Sequence, residues 1–269
     1  MTSDGRQREF RIETGRGRIF AKAWNFDSES ETGAEPIILF HDSLGCVEVW
    51  RDFPSQLARV TGRAVIAYDR LGFGKSDAHP GTLPLSFVRD EARGAFAALL
   101  DSLGVNNFAA FGHSVGGGMA VITAGVFPGR CRALITESAQ AFVEDLTLEG
   151  IREAGRAFRE PGQMERLRRY HGNKAEWVLR AWTGTRLSEG FASWTLDEDL
   201  PKVRCPVLAL HGDKDEYGSS GHPRRIAALA SGPATMKILE NCGHLPHREQ
   251  EAAVLDAVKD FLRRVQPAL

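Results

Sequence analysis

The chain is punctuated by short, predominantly apolar runs at residues 37–40, 64–68, 108–111, 133–136 and 207–210, and by a sixth with one lysine inside it at 236–239. Runs of this length without polar alternation suit strands that are covered on both faces. Between and after them lie longer stretches with apolar residues at helical spacing: 49–60, 86–103, 115–127, 223–230 and 249–265. Strand and helix in alternation predict an α/β fold, a mostly parallel central sheet with helices on both faces. Ahead of the first run, residues 9–13 and 18–24 alternate around Gly15 and Gly17 and predict a β-hairpin, while the polar, acidic stretch 27–35 predicts a surface loop.

The rhythm breaks once. Residues 140–200 keep helical periodicity but hold no buried-strand run, and they carry Trp177, Trp182 and Trp194 together with Phe158 and Phe191. Ligands of such sheets bind beyond the carboxyl ends of the strands. A helical insertion late in the chain, after the sixth strand, is therefore expected to form a cap, or lid, over that edge. The 269 residues divide accordingly into a core, 1–139 and 201–269, and a cap, 140–200. Aromatic side chains commonly line ligand pockets. Trp177, Trp182 and Phe158 are thus the expected substrate contacts, and an apolar or aromatic group the expected cargo.

The chemistry starts at Gly112-His113-Ser114-Val115-Gly116. With 28 glycines in the chain this G-x-S-x-G pattern is not decisive by itself, so its placement carries the weight. It follows a predicted strand and opens a predicted helix, the setting of a nucleophile elbow. Serine is a weak nucleophile at neutral pH and needs a base. His244 follows the strand 236–239 and precedes the last helix, on the same sheet edge as Ser114; His247 competes, but the glycine before His244 suits a tight loop. His113 is expected to point into the elbow, and His41, His79, His171, His211 and His222 are poorer bases by position.

A carboxylate must then hold the imidazole and stabilise its charged form. Asp215 and Asp213 both follow the strand 207–210, with Asp215 preferred, and Glu137, after 133–136, is the outside candidate. The oxyanion needs two backbone N–H donors. Val115, directly after the nucleophile, supplies one in this reading. Ser43, in the loop His41-Asp42-Ser43-Leu44-Gly45 after the first buried strand, supplies the other.

These features resemble the α/β-hydrolase superfamily across nearly the whole chain. Four matches stand in family order: the His41-to-Gly45 loop, the turn Asp69-Arg70-Leu71-Gly72-Phe73-Gly74-Lys75-Ser76, the elbow at Ser114, and the acid and histidine loops. The resemblance implies the α/β-hydrolase fold and the Ser-Asp-His order, with a structural role for the Asp69 turn. Serine at the elbow separates the chain from epoxide hydrolases and haloalkane dehalogenases, which carry aspartate there. It leaves carboxylesterases, lactonases, thioesterases, perhydrolases and hydrolases of ring-fission products. One residue departs from the pattern: Asp42 stands where the family has glycine, and its carboxylate is expected to point away from the oxyanion hole or to be hydrogen-bonded within its turn.

The expected function is hydrolysis of a carboxylic ester or related acyl bond through a serine acyl-enzyme. One alternative is C–C bond hydrolysis of ring-fission products, with Arg166, Arg168 and Arg169 as candidate anchors for an acidic substrate. Another is a slow-turnover small-molecule receptor on the same fold. The reading requires no cofactor and no metal, since no C-x-x-C pair occurs among Cys46, Cys131, Cys205 and Cys242. A formal net charge of −1 gives no basic excess for nucleic acid. Scattered cysteines, an N-terminus without an apolar core and the lack of a membrane-length run point to a cytoplasmic protein with a small-molecule substrate as its partner.

Overall fold

The computed structural model describes residues 7–26 and 34–265, so most of the expected loop at 27–35 lies outside the described residues. Strands β1 (Gln7–Thr14) and β2 (Gly17–Trp24) form the antiparallel hairpin. The parallel strands are β3 (Ile37–Phe40), β4 (Val65–Asp69), β5 (Phe108–His113), β6 (Cys131–Glu137), β7 (Val207–Gly212) and β8 (Ala234–Leu239). The sheet runs β1-β2-β4-β3-β5-β6-β7-β8, with β2 antiparallel to β4. Every residue of β3, β4 and β5 is buried, as unbroken apolar runs require. β8 forms an edge of the sheet and is half exposed, which accommodates Lys237.

Because side chains alternate across a strand, each central strand feeds two apolar layers. Ile38, Phe40, Ile66, Tyr68 and Phe108 join one cluster with helices α2 (Phe87–Arg93), α3 (Ala95–Leu103) and α4 (Val115–Val126). Ile37, Leu39, Val65 and Phe111 join the other with α1 (Phe53–Thr61) and, at the end of the chain, the helix over Glu251–Val265. Truncating a fully buried phenylalanine such as Phe111 would cost about 3–5 kcal/mol.

Two predicted helices are interrupted. The stretch 86–103 breaks between α2 and α3 at Gly94, whose ψ of −109° leaves the helical region. The stretch 49–60 begins as a 3-10 turn over Val47–Trp50 and becomes α-helical only from Phe53, after Arg51 at φ 54°.

Between β6 and β7 lie α5 (Asp145–Ala157), α6 (Gln163–His171) and α7 (Ala175–Arg186). Leu167, Ala175 and Val178 of α6 and α7 pack on Phe73 beyond the sheet edge. Phe191, Trp194, Leu196 and Leu200, although inside the aromatic segment, are buried in the main core beside Phe87 and Met119. After β7 come α8 (Gly221–Leu229), β8, the short α9 (Pro246–Glu249) and α10 (Glu251–Val265). Among the described residues no helix is long and apolar enough to cross a membrane.

All the parallel strands end at one edge. The segments leaving β3, β5, β7 and β8 there carry Ser43, Ser114, Asp215 and His244 respectively.

Candidate active site

Ser114 sits between β5 and α4 at φ 56°, ψ −125°, backbone angles that a non-glycine residue adopts at a cost of order 1–3 kcal/mol. The flanking glycines are what make the turn sterically feasible. A Cβ on Gly112 would lie 2.2 Å from the Gly116 carbonyl oxygen, and one on Gly116 would lie 2.3 Å from the Phe40 carbonyl oxygen. The elbow is thus clamped against β3, and Ser114 projects from the strand end.

The Ser114 Oγ donates to His244 Nε2 at 3.0 Å, and His244 Nδ1 donates to Asp215 Oδ1 and Oδ2 at 2.8 and 2.9 Å. Three residues from distant parts of the chain therefore form one continuous hydrogen-bonded line. Asp215 is buried and also accepts the Tyr217 backbone N–H at 2.8 Å. Burial pushes its carboxyl up, but the hydrogen bond and charge of His244 outweigh this and hold it below the ordinary aspartate value. For His244 the balance runs the other way. Burial lowers its pKa, yet the hydrogen bond and charge of Asp215, with the charges of Asp42 and Glu216, leave it above 6.5.

The competing candidates have other partners. Asp213 Oδ1 accepts the Cys242 backbone N–H at 3.2 Å and so braces the loop before His244. His247 Nδ1 donates to Glu137 at 2.6 Å, and His113 Nε2 donates to the His244 carbonyl at 2.7 Å. The Asp69 turn is a closed unit: its carboxylate accepts backbone N–H groups of Val47 and Lys75, and Ser76 Oγ donates to its carbonyl, each at 2.6 Å.

The first-strand loop is braced from below. His41 Nδ1 donates to the Asp42 carbonyl at 2.8 Å, His41 Nε2 accepts the Arg70 N–H at 3.2 Å, and Arg70 Nη2 also donates to the Asp42 carbonyl at 2.6 Å. His171, at the end of α6, donates Nε2–H to the Leu44 carbonyl and accepts the Gly74 N–H at Nδ1, both at 2.9 Å. The Asp42 carboxylate folds over Gly45, where a Cβ would meet its Oδ1 at 2.1 Å. It lines the cavity above Ser114, its Oδ1 is buried without a hydrogen-bond partner, and its Oδ2 lies 3.9 Å from His113 Nδ1. Of the two arrangements expected for Asp42, a hydrogen bond within the turn is not made at Oδ1.

A cavity of about 200 Å³ opens over Ser114, walled by Ser43, Gln140, Ile151, Trp182, Tyr217 and Leu245 among others. Ser43 and Trp182 also wall a smaller space with Val115, Arg70, Phe73 and Arg186. Val115 begins α4, where the first helical N–H groups have no partner within the helix and are available to an anion. Ser43 and Val115 thus border one space next to Ser114.

Of the three aromatic contacts expected from the sequence, only Trp182 lines this cavity. Trp177 stacks on His79 at 5.1 Å and donates its indole N–H to the Gly81 carbonyl at 2.7 Å, while Phe158 packs with the α6–α7 apolar cluster. Trp177 is drawn off by the loop that follows β4, and Phe158 by the packing of α6 and α7. Arg168 is also turned outward, paired with Glu165 and Glu176 on the exposed face of α6 and α7.

Sequence reasoning missed two residues of this site. Tyr217 lies two positions beyond Asp215, its ring 4.8 Å from that of His244. Arg186, the last residue of α7, is 2% exposed and stacks over the Phe191 and Trp194 rings at 4.9 and 5.7 Å. Its Nη2 donates to Gln140 Oε1, but Nε and Nη1 are buried with no partner. Burial lowers its pKa to about 10, so the guanidinium stays charged at neutral pH.

A family model described as the alpha/beta hydrolase family matches residues 37–257. A 2-hydroxy-6-oxo-2,4-heptadienoate hydrolase of Pseudomonas putida is 26% identical over 249 residues, covering 84% of this chain and 88% of the relative. The serine hydrolase BPHL of Mus musculus is 30% identical over 242 residues, covering 86% and 80%. Among solved structures, a serine hydrolase from the polyaromatic hydrocarbon-degrading bacterium Cycloclasticus zankles superposes with a TM-score of 0.80 at 17% identity, covering 98% of this chain and 100% of that one.

Proposed function

Because the chain belongs to the alpha/beta hydrolase family, we propose that it is a serine hydrolase of small carbonyl substrates, with Ser114 as nucleophile, His244 as base and Asp215 as the residue that orients it. The observation that carries this reading is the unbroken Ser114–His244–Asp215 hydrogen-bonded line at the floor of a cavity. His244 Nε2 takes the Ser114 proton as Oγ bonds to the substrate carbonyl carbon. The N–H groups of Ser43 and Val115 receive the oxyanion. As the tetrahedral adduct collapses, His244 returns the proton to the leaving group. It then deprotonates a water that attacks the acyl-enzyme and releases the acid, with Ser114 reprotonated. Helices α5–α7 serve as the lid of this cavity, contributing Ile151 and Trp182 to its wall.

Within this chemistry one observation favours a particular substrate class. A charged, desolvated guanidinium with two unpartnered N–H groups is costly unless something accepts from it. Arg186 meets that description beside Ser43 and Val115. It supports a substrate that carries a carboxylate, as the 2-hydroxy-6-oxo dienoates named for the relatives do. The second reading, hydrolysis of a C–C bond next to a ketone, rests on this arginine rather than on Arg166, Arg168 or Arg169. A simple aryl ester and a vinylogous 2-hydroxy-6-oxo dienoate, assayed side by side with Ser114→Ala as control, separate the readings. Preference for the dienoate supports C–C cleavage, preference for the ester supports acyl transfer, and an undiminished Ser114→Ala rejects both.

A further inference from the structure

Three residues passed over for the triad converge behind it. Glu137 ends β6 and is fully buried. Its main-chain carbonyl accepts the Ser114 N–H at 2.9 Å. Its side chain accepts the His247 Nδ1–H at 2.6 Å, and His247 stands three residues after His244. His113, the residue before Ser114, donates Nε2–H to the His244 carbonyl at 2.7 Å. The His113 ring lies between the other two imidazoles, 5.0 Å from His244 and 4.9 Å from His247. Trp50 and Phe53 close the back of His247 at 4.8 and 5.5 Å.

The nucleophile elbow and the base loop are thus joined twice below the Ser114–His244 hydrogen bond. Building from this geometry and resting on the catalytic reading above, we propose that Glu137 and His247 form a second, buried carboxylate–imidazole pair that positions the His244 imidazole against Ser114. Both are positioning residues: neither lines the cavity over Ser114.

The chemistry of the pair fits a locating role. Two apolar side chains would brace a loop at less cost than a buried ionisable pair, which needs good geometry to offset its desolvation. What such a pair adds is direction, because a hydrogen bond fixes an orientation that an apolar contact leaves free. Burial raises the Glu137 carboxyl, but the charge and hydrogen bond of His247 outweigh it and keep the carboxyl below its ordinary value. His113, Glu137 and His247 together also resemble a set of metal ligands. A separation of 2.6 Å between His247 Nδ1 and Glu137 Oε2 is that of a shared proton, however, and is short for two atoms each about 2.0–2.2 Å from a tetrahedral zinc. A displacement of about 1 Å at a reacting centre can cost on the order of 10²-fold in rate, so a pair that holds His244 in place carries a measurable share of the catalysis.

The test uses the full chain and a fluorophosphonate, whose attack by Ser114 needs the serine and its base but no knowledge of the natural substrate. Rates are expressed per fluorophosphonate-titratable site, so that a partly folded variant still reports. Glu137→Gln keeps the shape and removes the charge. It is expected to slow phosphonylation of Ser114 by roughly 10- to 100-fold. Turnover of an aryl ester should lose kcat by the same factor with little change in KM. His247→Gln provides a second, independent variant and should show a similar loss. The double variant should be no slower than the slower single one, since partners acting as a unit are not additive. Wild-type rates per site with only a lowered melting temperature would make the pair a structural brace and overturn the proposal. Fully additive losses would overturn it as well. If the wild-type protein itself fails to label at Ser114, the catalytic reading falls first; if it labels and the variants match it, only the present inference falls.

Discussion

The edge of the sheet and the helices above it are built by different rules. At the edge, backbone geometry fixes the functional groups. Ser114 is held at φ 56° between glycines on which a Cβ would collide with neighbouring carbonyls, and Asp215 and His244 leave adjacent strand ends. In α5–α7 the side chains that face the cavity are chosen by how the helices pack. Trp182 faces it, while Trp177, five residues earlier on the same helix, stacks on His79 instead. The edge is therefore suited to fixed chemistry, and the helices above it to variable selection of substrates.

The sharpest way to break this division is Ser114→Ala. If the edge carries the chemistry, this variant loses about 10³-fold or more of hydrolytic activity while keeping its fold. A hydrolysis assay with circular dichroism as control measures both. Residual activity within tenfold of wild type would move the chemistry elsewhere.

Arg186→Met tests the other half of the comparison. It removes the desolvated charge while keeping an apolar stem over Phe191 and Trp194. A charged group that meets a substrate carboxylate is worth several kcal/mol when desolvated. The expected result is a loss of about 10- to 100-fold in kcat/KM for carboxylate-bearing substrates, against near-constant turnover of a neutral aryl ester. Equal losses on both substrates would mean that Arg186 supports the fold of the lid and selects nothing.

The same division explains what could be read from the sequence. The buried strands were legible because their apolar runs have few alternatives, and Ser114 because its pentapeptide falls between a legible strand and a legible helix. The choices between Asp215 and Asp213, and between His244 and His247, could be weighed but not closed, since each pair leaves the same strand end. Arg186 was illegible because its burial depends on Phe191, Trp194 and Gln140, contacts made only once the chain folds back on itself. The signal available for it was a charged residue closing a helix just before residues that enter the core, which by sequence reads as a favourable helix end. Tyr217 gave no signal beyond its closeness to Asp215.

A smaller effect tests how the two regions are joined. His171 ties α6 to the Leu44 carbonyl and the Gly74 N–H while 1% exposed. His171→Ala leaves both groups without their partner and is expected to cost about 2 kcal/mol, measured by urea denaturation. Burial holds the His171 pKa below 6.5. A depressed imidazole contributes stability fully above 6.5, and that contribution is lost as pH falls from there through the folded value. The gap between wild type and variant should accordingly narrow in acid; a gap that widens in acid would contradict a neutral His171.

The finest test concerns Asp42, the one residue of the edge that departs from the family pattern. Its charge, added to those of Asp215 and Glu216, favours the protonated form of His244. His244 must be neutral to accept the Ser114 proton, so kcat/KM should decline on the acid side through an apparent pKa above 6.5. Asp42→Asn removes one of the charges that raise that value. The acid limb should move to lower pH, leaving the variant more active than wild type at the foot of the profile when both are normalised to their plateaus. The plateau itself should rise or hold, because a carboxylate walling the cavity opposes the charge that forms on the substrate oxygen during attack. An acid limb that stays in place would show that Asp42 is screened from His244. The carboxylate folded over Gly45 would then serve the loop that holds Ser43 rather than the base.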